Sequence, residues 1–220
     1  SPTGQTERYV ITNPNTGEEF IVPGRFTDIV QKKFERIKGR KEAAEISENP
    51  DNRIKADSGT IVHAIAEQLT HNIANNDNAF NKTKAKYISK QDLATQYGVD
   101  ITIINETERI VKQHLDFFKE TQKKIDKDGK ITIATELLLP DSKYNKMGRG
   151  DLVAIFSDSS AGYIDYKTMS INETKANVLD SKGRVNDEDW ISEYKYEDFA
   201  LQLNQVNRTL TDLGVTKIRF

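Results

Sequence analysis

GRGDLVAIFSDSSAGYIDYKT, residues 148–168, decides how this chain folds. Two apolar runs, GRGDLVAIF and GYIDYKT, flank SDSSAG, a turn-forming stretch with Gly162 at its end, so the segment reads as a β-hairpin. Immediately upstream, ITIATELLL (131–139) is β-branched and then apolar, the mark of a buried strand. The three runs make a meander. Downstream, residues 170–189 are polar and ambiguous, and a helix is expected over 196–213 with Phe199, Leu203, Val206 and Leu210 on its apolar side. Leu213-Gly214 stops that helix, and VTKIRF begins a further strand.

Working back towards the N-terminus, Tyr9-Val10-Ile11-Thr12 and Phe20-Ile21-Val22 flank NPNTGEE and read as a hairpin or a loose arm. A helix is expected over 27–45, with Val30, Phe34 and Ile37 on one face, ended by SENPDN around Pro50. Asp57-Ser58 offers N-cap chemistry for IVHAIAEQLTHNIA. Residues 75–86 (NNDNAFNKTKAK) are polar and expected to be a mobile loop. Ser89-x-x-Asp92 resembles a capping box opening a short helix, and a long helix follows over Ile101–Ile125, with Ile104, Ile110, Val111, His114, Leu115 and Phe118 at helical spacing. There is no internal repeat. The fold class is therefore α/β or α+β: a central mixed sheet whose three-stranded meander is flanked by helices. Residues 1–56 form an N-terminal hairpin-and-helix segment, and residues 57–220 the core.

Composition bounds the function. At 220 residues, 36% hydrophobic and 30% charged, with a mean hydropathy of −0.67, the chain suits one medium domain with a real core. No run of 18 or more apolar residues is present, which argues against a membrane span. SPTGQTERYV has no basic stretch followed by an apolar one, so no secretory leader is expected there. The missing initiator Met suggests a processed chain or a domain cut from a longer polypeptide. Zero Cys excludes disulfides, thiol nucleophiles and cysteine-ligated zinc or iron–sulfur centres within it, and fits a cytoplasmic protein. Lys and Arg number 32 against 34 Asp and Glu, a net charge of −2, so a polybasic coat is excluded. A local basic footprint remains at Arg25, Lys32, Lys33, Arg36, Lys38, Arg40 and Lys41, either a solvated helix face or a phosphate-tracking one.

The chemistry concentrates in the meander. Asp165 and Lys167 are two apart in a strand and share a face, while Tyr166 points to the other and can pack into the core. Asp151, near the start of the preceding strand, is brought close by the hairpin. Two adjacent carboxylates repel unless a cation lies between them, and hard oxygen ligands suit Mg²⁺ or Mn²⁺. Taken alone, Asp165 and Lys167 read first as an exposed ion pair on a strand edge. Glu136 adds weight, because a carboxylate in an otherwise apolar strand is costly unless paired or bound to metal. His63 lies roughly 130° from the apolar stripe of its helix (Ile61, Val62, Ile65, Leu69, Ile73), with Glu67 one turn later. His71 and His114 carry no such signal. Gly59 lets a backbone or ligand approach closely.

These residues together resemble the PD-(D/E)XK nuclease superfamily, and within it the RecB-type branch. GRGDLVAIF–SDSSAG–YIDYKT is similar to its strand Asp, turn and Asp/Glu-x-Lys. Gly59-Thr60-Ile61-Val62-His63 is similar to the RecB-type Gly-x-x-x-His helix, with Glu67 at the next turn. Glu136 matches the strand Glu before the first Asp, and Gln202-Leu203 the later Gln helix. Four positions after Gln202 stands Val206, where the family usually has Tyr. With no Cys, the chain resembles the cluster-free exonucleases, without an iron–sulfur cluster. Gly24-Arg25-Phe26-Thr27 is only faintly similar to the segment that opens the family's fold.

The resemblance implies a restriction-endonuclease-like core and a metal-dependent DNA nuclease, an exonuclease on ends or single strands in replication, recombination or repair. Asp151 and Asp165 hold one or two Mg²⁺ or Mn²⁺ ions, with His63, the Tyr166 carbonyl and Glu136 completing the ligand set. Lys167 orients the attacking water and stabilises the charged transition state, and Gln202, on a polar stripe with Asp198, Gln205 and Thr209, contacts substrate or braces Lys167. Lys143, Lys146 and Arg149, together with Arg25, meet DNA phosphates. Partners are DNA, further domains of the same polypeptide, or recombination and replication proteins, in the cytoplasm of a bacterial or phage-infected cell and away from membranes. The rival is a silent nuclease-like module that binds DNA or serves a recombination or packaging assembly.

Overall fold

A computed structural model describes residues 8–12, 19–25, 50–141, 146–166 and 202–219. The helix expected over 27–45, Lys143, Lys167, residues 170–189 and Asp198 lie outside the described residues. Strands β1 (Arg8–Thr12) and β2 (Glu19–Pro23) form the expected N-terminal hairpin, antiparallel with Val10 opposite Ile21. Then come helices α1 (Pro50–Asn76), α2 (Lys90–Tyr97) and α3 (Ile101–Ile125), strands β3 (Thr132–Asp141), β4 (Lys146–Ile155) and β5 (Ala161–Ile164), and helix α4 over 202–212. The sheet order is β3-β4-β5. Ile218 makes a single parallel bridge to Ala161, so VTKIRF, expected to begin a further strand, contributes one bridge among the described residues and no strand. No helix among the described residues is long and apolar enough to cross a membrane.

The chain divides into two units. One comprises Ser1–Asn49, Leu138–Gly148 and Lys167–Thr209; the other comprises Pro50–Leu137, Arg149–Tyr166 and Leu210–Phe220. The second holds the main core. Val111, Leu115 and Phe118, at helical spacing on α3, pack with Ala66 and Ala74 of α1 and with Ile131, Ile133, Leu152, Ala154 and Phe156 of the sheet region. A smaller cluster joins Ile65 and Leu69 of α1 to Leu93 and Ala94 of α2 and Ile104 of α3. Buried Gln122 ties α3 to the β4–β5 turn, its Nε2 donating to Ser157 Oγ at 2.7 Å while Ser157 N donates to its Oε1 at 3.1 Å.

Local chemistry explains the helix ends. Ser89 caps α2 by accepting from Asp92 N, and Asp100 caps α3 by accepting from Thr102 N. Helix α1 corrects an expectation: it starts at Pro50, ahead of the Asp57-Ser58 cap read from sequence. A proline in the first helical position loses no bond, because an N–H there has no partner within the helix.

The polar stretch after α1 also differs from the mobile loop expected. Asn72, Asn75 and Gln68 of α1 hold it through side-chain bonds to Ile88 O (2.7 Å), Ala85 O (3.2 Å) and Lys86 O (2.7 Å).

In the first unit, α4 carries a second difference. Gln205 and Thr209, expected on the polar stripe of Gln202, are buried, and Gln205 Nε2 donates to Leu139 O at 3.2 Å. A methyl group on Gly148 would collide with the Gln205 amide, so the first glycine of GRGD leaves room for that side chain. Val206, in the family's Tyr position, is buried.

Candidate metal centre

The β4–β5 ladder places the acidic residues. Its last pair is Leu152 with Ile164, and the next residue on each side is an aspartate, Asp151 and Asp165, so both arrive at one end of the hairpin. Both charges act on the Tyr163 hydroxyl, whose proton is held more tightly because of its burial and then these two carboxylates. Tyr163 donates to Asp165 Oδ1 at 3.2 Å, and the backbone N–H of Tyr166 donates to Asp151 Oδ2 at 2.7 Å. β5 ends at Ile164, short of the strand expected over GYIDYKT, and Tyr166 lies just beyond it with its ring packed against the core and its hydroxyl 3.4 Å from His114 Nδ1.

Helix α1 supplies the facing wall. His63, half-buried, sets Nδ1 3.5 Å from Asp151 Oδ2 and meets the Tyr166 ring edge-on at 6.1 Å between centroids. One and two turns later come Glu67 and His71. Thr135 of β3 donates to Glu67 Oε1 at 3.1 Å, and its Oγ1 lies 2.9 Å from His71 Nε2. With Thr135 giving its only proton to Glu67, it accepts from His71, which leaves the buried His71 Nδ1 without a partner.

Glu136, next along β3, has φ of 48°, a left-handed conformation in which a non-glycine residue is strained. The kink interrupts the strand alternation, and residues 134–137 are all neither fully buried nor fully exposed. Among the described residues, one ligand atom each from His63, Glu136 and Asp151 lie within 4.8 Å of one another.

The electrostatics match a cation site. His63 holds its proton above the ordinary imidazole value because of its bond to Asp151, which outweighs its burial, with the Asp151 and Glu136 charges adding to it. Glu136 is raised by burial and by Asp151, against the opposing Arg149, whose NH1 donates to Glu136 Oε2 at 2.8 Å. A nitrogen and two carboxylates in one small space, with both His63 and Glu136 holding protons more tightly than usual, form a donor set that fits a divalent cation.

Arg149 lies against Glu136, with its side chain more than half exposed. Arg25, Lys146 and Gln202 belong to the first unit, where Arg25 bridges to Met147 and Gln202 is partly exposed at the start of α4. His71 and Thr135 were missed in the sequence reading; His71 stands just over two helical turns from His63, about 80° round the helix.

A model of the PD-(D/E)XK nuclease superfamily matches residues 33–185, more than half of the chain. The span takes in His63, Glu136, Asp151, Asp165 and Lys167 and leaves out Arg25 and Gln202. No curated protein and no solved structure matches the chain. A family match of this extent, running through the helix and strands that assemble the centre, makes the chain a member of the PD-(D/E)XK nuclease superfamily.

Proposed function

We infer that the chain is a Mg²⁺- or Mn²⁺-dependent deoxyribonuclease of the RecB-type, cluster-free branch, hydrolysing DNA from ends or in single strands as an exonuclease. The observation that carries this reading is the convergence of His63, Glu136 and Asp151 at the end of the hairpin of a PD-(D/E)XK chain. His63, Glu136 and Asp151 would hold the ion, with Asp165 and the Tyr166 carbonyl joining them. When bound, a divalent ion supplies Lewis-acid polarisation of the phosphodiester and lowers the pKa of water.

The chain's own groups do the rest. The Tyr166 N–H fixes one oxygen of Asp151 and so orients the carboxylate. His63 must shed its proton to offer Nδ1, and Arg149 must turn from Glu136 towards a phosphate for that carboxylate to act as a ligand. Lys167 is assigned the charge that meets the developing phosphoryl oxygens, and Gln202 braces it or touches substrate. Lys143, Lys146 and Arg25 take backbone phosphates. DNA ends arise in replication, recombination and repair in the cytoplasm, a compartment that the absence of Cys fits.

The test is cleavage of linear and circular DNA, single- and double-stranded, with Mg²⁺, Mn²⁺ or Ca²⁺. Loss of linear DNA with Mg²⁺ or Mn²⁺, circular DNA left intact, is the expected result. Lys167→Ala should slow it by about 10²–10³-fold while fold and DNA binding persist. Wild-type cleavage by a folded Lys167→Ala protein would sink the assignment. The Arg149–Glu136 ion pair favours a second reading, a silent nuclease-like DNA-binding module, since it neutralises a ligand carboxylate with no ion needed. The same assay decides, because a silent module cleaves nothing with any metal.

A further inference from the structure

The segment that follows α1 is built to present cations. Between Asp77 and Asp92 the sequence NAFNKTKAKYISKQ has four lysines and no acidic residue, in a chain whose net charge is −2. Lys90, the last of the four, is spent on Glu108 at 3.0 Å. Over 82–86 exposure alternates residue by residue: Lys82, Lys84 and Lys86 face solvent while Thr83 and Ala85 turn inward. Lys84 and Lys86 thus share the solvent side of the segment two residues apart, close enough for their ammonium groups to meet neighbouring phosphates of one nucleic-acid strand.

The backbone behind them is fixed. Asn75 of α1 donates to Thr83 Oγ1 at 3.0 Å and accepts from Thr83 N at 2.7 Å. Gln68 holds Lys86 O, and Asn72 both donates to Ile88 O and accepts from Ile88 N at 3.3 Å. The Lys82 ammonium donates to Asn75 O and closes the far end. Among the described residues no carboxylate pairs with Lys84 or Lys86. Beside them stands Tyr87, 69% exposed, a largely open aromatic face.

Gln68 directly follows Glu67 and lies about 7.5 Å along the helix axis from His63. The Lys86 end of the segment is therefore the end nearer the metal centre, and the segment then runs along α1 away from it.

We propose that residues 82–87 are a preorganised nucleic-acid track, Lys84 and Lys86 taking successive backbone phosphates and Tyr87 stacking on a base of a single strand. The proposal rests on the nuclease reading and adds a substrate contact outside the residues already assigned. Three amide side chains holding a polar segment against a helix lower the ordering penalty when its lysines meet a polyanion. The basic and aromatic pairing suits a single strand better than a duplex, because stacking needs an unpaired base.

Binding of fluorescein-labelled single-stranded and duplex oligonucleotides, followed by anisotropy in EDTA across a salt series, tests it. Lys84→Ala/Lys86→Ala should weaken both by an order of magnitude and flatten the slope of log K against log salt by about 1.4–1.8 units, at about 0.7–0.9 per lost phosphate. Tyr87→Ala should weaken single-strand binding by roughly tenfold and leave the duplex almost unchanged. Lys112→Ala/Lys123→Ala, which removes lysines paired with Glu108 and Glu120, should leave the slope as it was. A wild type that binds no DNA would overturn this proposal and the nuclease reading together. A wild type that binds with a salt-dependent affinity, and a Lys84/Lys86 double variant with the same slope, would overturn the track alone and leave these lysines to an acidic protein partner.

Discussion

The two ends of the β4–β5 hairpin treat negative charge in opposite ways. At the turn, Asp158 accepts from Ser160 N at 3.0 Å and from the Ser160 hydroxyl, and it pairs with Arg219. These donors, the hydroxyl bond foremost, hold its pKa down to about 2. At the open end, Asp151 and Glu136 face each other and His63, and both Glu136 and His63 keep their protons longer than usual. One end satisfies its charge from within the protein. The other gathers carboxylates that also have donors, from the Tyr166 N–H, the Tyr163 hydroxyl and Arg149, yet burial and mutual proximity still push the Glu136 proton up. Acidic residues at a hairpin end therefore do not mark a site by themselves; the direction in which their surroundings move the proton tells the two cases apart.

The largest effect that sharpens this contrast is expected at Asp151. Asp151→Asn should weaken Mn²⁺ binding, read by calorimetry, by more than about 100-fold, the upper range for residues that only support a ligand. Its thermal stability without metal should stay close to wild type. Unchanged Mn²⁺ affinity would move the metal away from this end. Next comes the strained residue. Thr135 anchors the backbone just ahead of Glu136 to Glu67 and His71, so Thr135→Val should lose about 10-fold in Mn²⁺ affinity, and Thr135→Ser should restore it. Equal affinity in the Val and Ser variants would show that the anchor does not aim Glu136.

pH should separate the ends by sign. Asp158 has a folded-state pKa below its ordinary 3.8, so its stabilisation is present above that value and is lost as pH falls towards about 2. His63 is raised above its ordinary 6.5, so in metal-free protein its contribution is full below 6.5 and is lost as pH rises through the raised value. Metal binding should run the other way, strengthening over that same rise, because the proton and the ion compete for His63. Denaturation and Mn²⁺ titrations across pH check both signs, and parallel curves would refute the contrast. The smallest effect is expected from Asp158→Ala. Its bonds are partly exposed and screened, so their loss should cost about 1 kcal/mol, a fall of a few degrees in Tm, with cleavage unchanged. A cleavage defect there would tie the turn to the chemistry.

Much of this could be read from residue order. The meander and the long α3 follow from period and turn chemistry, Glu136 stands out by the cost of a charge in an apolar strand, and the resemblance to the family is what joins His63 to it and to Asp151. The left-handed backbone at Glu136 could not, because nothing local to TELLL demands it; it depends on Thr135 meeting an α1 residue pair far away in sequence. The burial of Gln205 was hidden for a related reason: a buried amide is tolerated only where distant groups serve it, here Leu139 O and Thr209 receiving its protons and Gly148 making room. The start of α1 was missed because Pro50 was read as a stop, although proline also begins helices.

Among the described residues, the outer edge of β5 is covered by a segment far downstream. Ala161 N donates to Lys217 O at 2.9 Å, Arg219 N donates to Ala161 O at 2.9 Å, and Thr216 N reaches Ser159 O at 3.1 Å. During synthesis the hairpin bearing the acidic end can form long before this segment leaves the ribosome. Until then it exposes a row of unpaired amides beside apolar Ala161 and Tyr163, the kind of edge onto which a second nascent chain can add. Closure of the sheet is thus a late, long-range folding event, and a polypeptide cut short before Thr216 would carry its aspartates on a sheet prone to self-association.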